Sequence, residues 1–85
     1  MTKAGALSQS IAEDLRAQRA RKGYTVTQVA EGVELSTAQV SKLLGGHKSF
    51  DIEVLDSICH FLGLEMVTVI RDADSQNPLR HKGIS

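Results

Sequence analysis

The 85-residue sequence predicts a mainly α fold, four helices followed by one C-terminal β-strand that pairs in a dimer. Three observations predict it. Apolar residues recur every three or four positions from Leu7 to Leu62, the spacing of a single helix face. The pattern Ser/Thr-x-x-Glu/Gln returns at Ser10, Thr25 and Ser36. It marks helix starts, because the cap side chain and the side chain three residues on satisfy each other's orphan backbone amides. At Leu64 the period changes and β-branched residues gather.

The first helix is expected to start at Ser8 or Ser10, after an N-terminal arm of residues 1–7. Leu7, Ile11 and Leu15, with Ala12 beside them, form its apolar stripe. The cations among Arg16 to Lys22 suit the negative end of its dipole, and Gly23 stops it. Two short helices follow, capped by Thr25-Val-Thr-Gln28 and Ser36-Thr-Ala-Gln39. Val29, Ala30 and Val33 bury one side of the first; Val40, Leu43 and Leu44 bury one side of the second. Each spans about two turns, too short to persist alone in water, so each must pack on its neighbours. Gly45-Gly46 ends the second. Asp51 caps a fourth helix, with Phe50 and Leu55 spaced as a hydrophobic staple. Ile52, Leu55, Ile58, Cys59 and Leu62 make its apolar face, and Gly63-Leu64 reads as a Schellman ending.

Leu64 to Arg71 reads as the strand, and it has no partner within the chain. Unpaired backbone groups and exposed valines on such an edge invite association. The expected remedy is pairing with the same strand of a second copy about a two-fold axis, through Leu64, Met66, Val67, Thr68, Val69 and Ile70. Residues 72–85, polar and holding the single proline Pro78, read as a disordered tail.

Size and composition narrow the function. A chain of 9.2 kDa builds one small domain. The ten basic and ten acidic residues cancel, which excludes a strongly basic nucleic-acid binder but not a locally basic face. No apolar run approaches the roughly 20 residues that span a bilayer, and polar Ser8-Gln9-Ser10 interrupts any signal-peptide core. No membrane partner is expected. The one cysteine, Cys59, rules out an internal disulfide and fits a reducing, cytoplasmic setting.

No catalytic constellation, cofactor site or metal site is legible. Cys59 and His60 are adjacent but project about 100° apart on a helix. His47 and His81 share no ligand spacing. Gly45-Gly46-His47-Lys48 lacks the strand and first glycine of a phosphate-binding loop. Asp51, Glu53 and Asp56 suit a helix start better than an acid/base pair.

Two short capped helices joined by a tight turn, packed between two others, outline a helix-turn-helix. Thr25 to Gly46, with Ala30, Val40 and Leu43 at their spacing, resembles the Cro/repressor-type helix-turn-helix family typified by lambda repressor. The resemblance covers about residues 10–64, from Arg19 in the first helix to the Phe61-Leu62-Gly63-Leu64 ending of the fourth. Ala30 is small because the following helix crosses close above it. Three positions depart from the family pattern. Glu34 stands where glycine is usual in the turn, at a cost of about 1 kcal/mol if it is left-handed, so the turn is expected to rearrange around Gly32. Val26 stands where a glutamine is frequent. Leu44 stands where a glutamate often pairs with the first-helix arginine, which leaves Arg19 free to meet phosphate.

The resemblance makes Ser36 to Leu44 the recognition helix of a DNA-binding regulator. Thr37, Ala38, Gln39, Ser41 and Lys42 are then the base-reading residues; glutamine suits adenine, lysine suits guanine, and the methyls suit thymine. Arg19, Gln28, Ser36, His47 and Lys48 are the phosphate contacts. The implied protein is a repressor of phage or antitoxin type, bound to a palindromic operator as a homodimer. A protein partner such as a toxin or an antirepressor goes with that reading. The alternative is a protein-interaction module, such as a toxin-binding antitoxin, that keeps the fold with weak or no DNA binding. Neutral net charge and Lys42 as the one cation of the recognition helix favour it. A small enzyme is the remaining class, and nothing in the chain builds its active site.

Overall fold

The computed structural model describes residues 5–75, which form five helices and no strand. They are α1 (Ala6–Lys22), α2 (Val26–Val33), α3 (Thr37–Leu44), α4 (Ile52–Phe61) and α5 (Met66–Ser75). The α2–α3 pair lies between α1 and α4, and α5 returns to pack on α1 and α4.

The apolar spacing holds as expected through α4. Leu15, Val29, Val40, Ile58 and Leu62 are completely buried, so each helix contributes to one core. A side chain of this size is worth about 1.5–3 kcal/mol when buried, which is how helices of eight residues persist. Ala30 is 1% exposed under the crossing of α3, as its size requires. Side chains fasten the frame at its ends. The Gln18 amide donates to the Leu62 carbonyl at 3.2 Å, tying α1 to the end of α4. Asp51 caps α4 by accepting from the Glu53 amide at 2.9 Å. The ending at Gly63 has the expected Schellman form, with φ of 75° and the Leu64 amide donating back to the Cys59 carbonyl at 2.8 Å.

The start of α1 differs from expectation. The helix begins at Ala6, with Gly5 as an N-cap that makes no side-chain bond, so Ser10 and Glu13 sit inside it rather than forming a capping box. Ala6 and Leu7 are strong helix formers and extend the helix past the serines. The capping pattern at Ser10 is a chance match within a helical run. Residues 1–4 lie outside the described residues.

The C-terminal segment is the larger correction. Leu64 to Arg71 is not a strand: Met66–Ser75 is helix α5. Met66, Val69, Ile70 and Ala73 recur at i, i+3, i+4 and i+7, a helical stripe that alternation and β-branching concealed. Val69 and Ala73 are 5% and 0% exposed in the core, and Met66 and Ile70 pack against it. A lone strand would leave its backbone groups unpaired, whereas the helix satisfies them internally, beginning with the Val69 amide and Glu65 carbonyl at 3.0 Å. The propensity penalty of β-branched residues, a few tenths of a kcal/mol each, is small against that. The intermolecular strand ribbon falls with the strand. Of its six residues, Val69 is buried, Leu64, Met66, Thr68 and Ile70 are half-buried, and Val67 faces outward. The expected tail is also shortened at its start, since Asp72 to Ser75 belong to α5; residues 76–85 lie outside the described residues.

Candidate nucleic-acid interface

The interface is built on two capped helices and the turn between them. Thr25 Oγ accepts from the Gln28 amide at 3.0 Å while Gln28 Oε1 accepts from the Thr25 amide at 2.8 Å. Ser36 and Gln39 repeat the arrangement at the start of α3. Both capping boxes stand where the sequence placed them.

The turn does not rearrange around Gly32. Glu34 takes the left-handed conformation itself, at φ 60° and ψ 41°. Its amide and that of Leu35 donate back to carbonyls at the end of α2, and these bonds hold the strained residue in place. Gly32 serves a different end. A Cβ there would fall on the ring of Phe61 in α4. The glycine therefore lets α2 lie against that ring, which in turn meets Tyr24 at a centroid distance of 4.9 Å.

Helix α3 buries Val40, Leu43 and Leu44 and exposes Thr37, Ala38, Gln39, Ser41 and Lys42. The five expected base-reading residues thus share the solvent face. The loop after α3 folds back so that His47 and Lys48 line one shallow recess with Ala38, Gln39 and Lys42. Ser36 is the N-cap at the same end of α3. Two expected phosphate contacts are placed elsewhere. Gln28 is exposed at the start of α2, engaged in its own capping box. Arg19 is half-buried, its guanidinium donating to the Tyr24 carbonyl at 2.5 Å. The position opened by Leu44 therefore does not leave Arg19 free.

Arg16 was not singled out in the sequence beyond its place among the α1 cations. Its guanidinium donates to the Leu44 carbonyl, the last of α3. A helix leaves its final carbonyls without partners, so this bond closes the end of α3 and ties it to α1. The one signal for it was that α3 carries Lys42 as the sole cation near its end.

The charge distribution has a direction that the net charge hides. From Ser36 to Phe50 the chain carries Lys42 and Lys48 and no carboxylate. Acidic side chains collect elsewhere, notably along α4 and α5. In the groove between α1 and α5, burial pushes the Asp14 carboxyl above the ordinary carboxylate range, and the charges of Asp72 and Glu13 push it further. A polyanion is attracted to the α3 side and repelled from this groove. Cys59 is buried, and desolvation with the nearby Asp56 charge raises its thiol to about 11, so it stays protonated and unreactive. Among the described residues no helix is long and apolar enough to cross a membrane.

A short capped helix held by its partner helix, with its polar face out and cations beside it, defines a helix-turn-helix domain. The chain belongs to the Cro/C1-type helix-turn-helix DNA-binding family, whose model matches residues 14–72. It is a DNA-binding transcription regulator. Among solved structures, it is similar to two crystal structures of the clp gene regulator ClgR from Corynebacterium glutamicum. One superimposes with a TM-score of 0.77 at 33% identity, covering 88% of this chain and 97% of that one. The other gives a TM-score of 0.78 at 32% identity, covering 93% and 84%. No curated protein matches the chain.

Proposed function

We propose that the chain is a sequence-specific transcriptional repressor that binds a palindromic operator as a homodimer. The recognition helix is α3. Thr37, Ala38, Gln39, Ser41 and Lys42 face the base edges, and His47 and Lys48 meet phosphate beside them, whereas the donors of Ser36 are taken up by Gln39. The observation that carries this reading is the recess where Ala38, Gln39, Lys42, His47 and Lys48 converge on a carboxylate-free stretch. Base-directed and phosphate-directed groups need to adjoin in this way for a protein to fix its register and read sequence together. Arg16 holds the end of α3 against α1 and so sets the angle of the helix.

The dimer is proposed through the outer face of α5. Val67 is 70% exposed there, a large apolar side chain in open solvent. Two copies related by a two-fold axis would present their α3 helices to successive major grooves, roughly 34 Å apart. The deciding experiment is a fluorescence-anisotropy titration of the chain against DNA flanking its own reading frame and against shuffled DNA of equal length, across a salt series. A site bound at least about a thousandfold tighter than shuffled DNA is the expected result. Equal, weak and steeply salt-dependent binding to both would instead favour the protein-interaction module.

A further inference from the structure

The capping box of α3 fixes what Gln39 can say to a base. Gln39 Oε1 receives the Ser36 backbone amide at 3.1 Å and the Ser36 hydroxyl at 3.2 Å. The hydroxyl must be the donor in that second contact, because a carboxamide oxygen carries no hydrogen; the hydroxyl oxygen in turn accepts from the Gln39 amide at 3.1 Å. The orientation of the carboxamide is equally forced, since a backbone N–H can meet only the oxygen end. A carboxamide oxygen has two lone pairs, and both are occupied. The exposed side chain is therefore left with its Nε2 hydrogens alone, two donors and no acceptor.

We propose that Gln39 reads DNA as a pure donor and selects guanine, not adenine. This rests on the DNA-reading role proposed for α3. In the major groove guanine presents two acceptors, N7 and O6, which two donors can meet together. Adenine presents N7 beside the N6 amino group, and pairing with it in two bonds needs the glutamine oxygen as acceptor. Here that oxygen is already engaged, so adenine meets one bond and one donor facing a donor. Cytosine offers only a donor. The usual pairing of glutamine with adenine, expected from the sequence, is thus reversed by the residue that caps the helix.

The test is selection by the full chain from a library of duplexes with a randomised core. The position that Gln39 reads is the one whose preference disappears in Gln39→Ala. Guanine is expected there for the wild type. Replacing that guanine by 7-deazaguanine, which lacks N7, should weaken wild-type binding about tenfold or more and leave Gln39→Ala binding unchanged. Ser36→Ala removes the hydroxyl donor and frees one lone pair. In this variant, checked by circular dichroism for native helix content, the preference at that position should move toward adenine. Adenine selected by the wild type in a Gln39-dependent manner would overturn the donor-only reading while leaving DNA recognition by α3 intact. Indifference of the wild type to 7-deazaguanine would overturn it as well. A library that yields no enriched sequence would overturn the DNA-reading role itself, and this inference with it.

Discussion

Gly32→Ala sets two terms of known size against each other. In an exposed helix interior, alanine is better than glycine by about 1 kcal/mol. Here the added methyl falls on the Phe61 ring. Overpacking of this kind costs about 1–3 kcal/mol. If the ring swings away instead, it abandons Tyr24, and an aromatic contact of that sort is worth about 0.5–1.5 kcal/mol. The steric term outweighs the propensity gain, leaving a net loss of up to about 2 kcal/mol, or a fall in Tm of up to roughly 10 °C for a domain of this size. Thermal melts followed by circular dichroism measure it. A double-mutant cycle isolates the cause: in a Phe61→Ala background the same Gly32→Ala change should stabilise by about 1 kcal/mol, since only helix propensity remains. A higher Tm for Gly32→Ala in the otherwise unaltered chain would refute the proposed role of the Phe61 contact.

Four further outcomes are expected. Val69→Asp should destabilise by about 2–5 kcal/mol by burying a charge in the core, whereas Val67→Asp should stay within about 0.5 kcal/mol in the monomer and shift sedimentation toward monomer; equal effects would argue for the strand, where both share one face. Lys48→Ala should weaken specific and shuffled DNA alike and lower the salt slope by about one unit, and loss confined to one sequence would move Lys48 to the base contacts. Asp14 has a raised carboxyl pKa, so it favours the fold at pH below the ordinary carboxylate value, and that contribution is lost as pH rises through its own higher pKa. Asp14→Asn should accordingly raise Tm at neutral pH and make little difference in acid, as melts across pH would show. The Cys59 thiol, raised to about 11 and buried, should react with thiol reagents only as fast as the chain opens; rapid labelling of the native protein would contradict that burial.

What the sequence made legible divides along physical lines. Local signals transferred well: the boxes at Thr25 and Ser36, the cap at Asp51 and the ending at Gly63 each depend on residues a few positions apart. The exposed face of α3 followed from the same helical spacing. Apart from the box at Ser10, overridden by the helix propensity of Ala6 and Leu7, what failed depended on tertiary context. Leu64 to Arg71 carries β-branched residues that favour a strand in isolation, but burial of Val69 and Ala73 decides for helix, and Ala73 lies beyond the alternating stretch. Gly32 looked like a turn residue because the ring it accommodates sits 29 positions away, at Phe61. Arg19 and Arg16 could not be distinguished by charge alone; which carbonyl each one meets is set by how α1 crosses its neighbours.

The two ends of α3 are both closed before any DNA arrives, Ser36 at the start and Arg16 at the finish. Association through the proposed reading surface then requires little folding, so the entropic cost of ordering its backbone is already met in the free protein. Binding calorimetry should show a heat-capacity change accounted for by contact area alone, without the excess that coupled folding adds. Substitutions along the face should appear mainly as faster release, with arrival rates governed by salt and by Lys42 and Lys48.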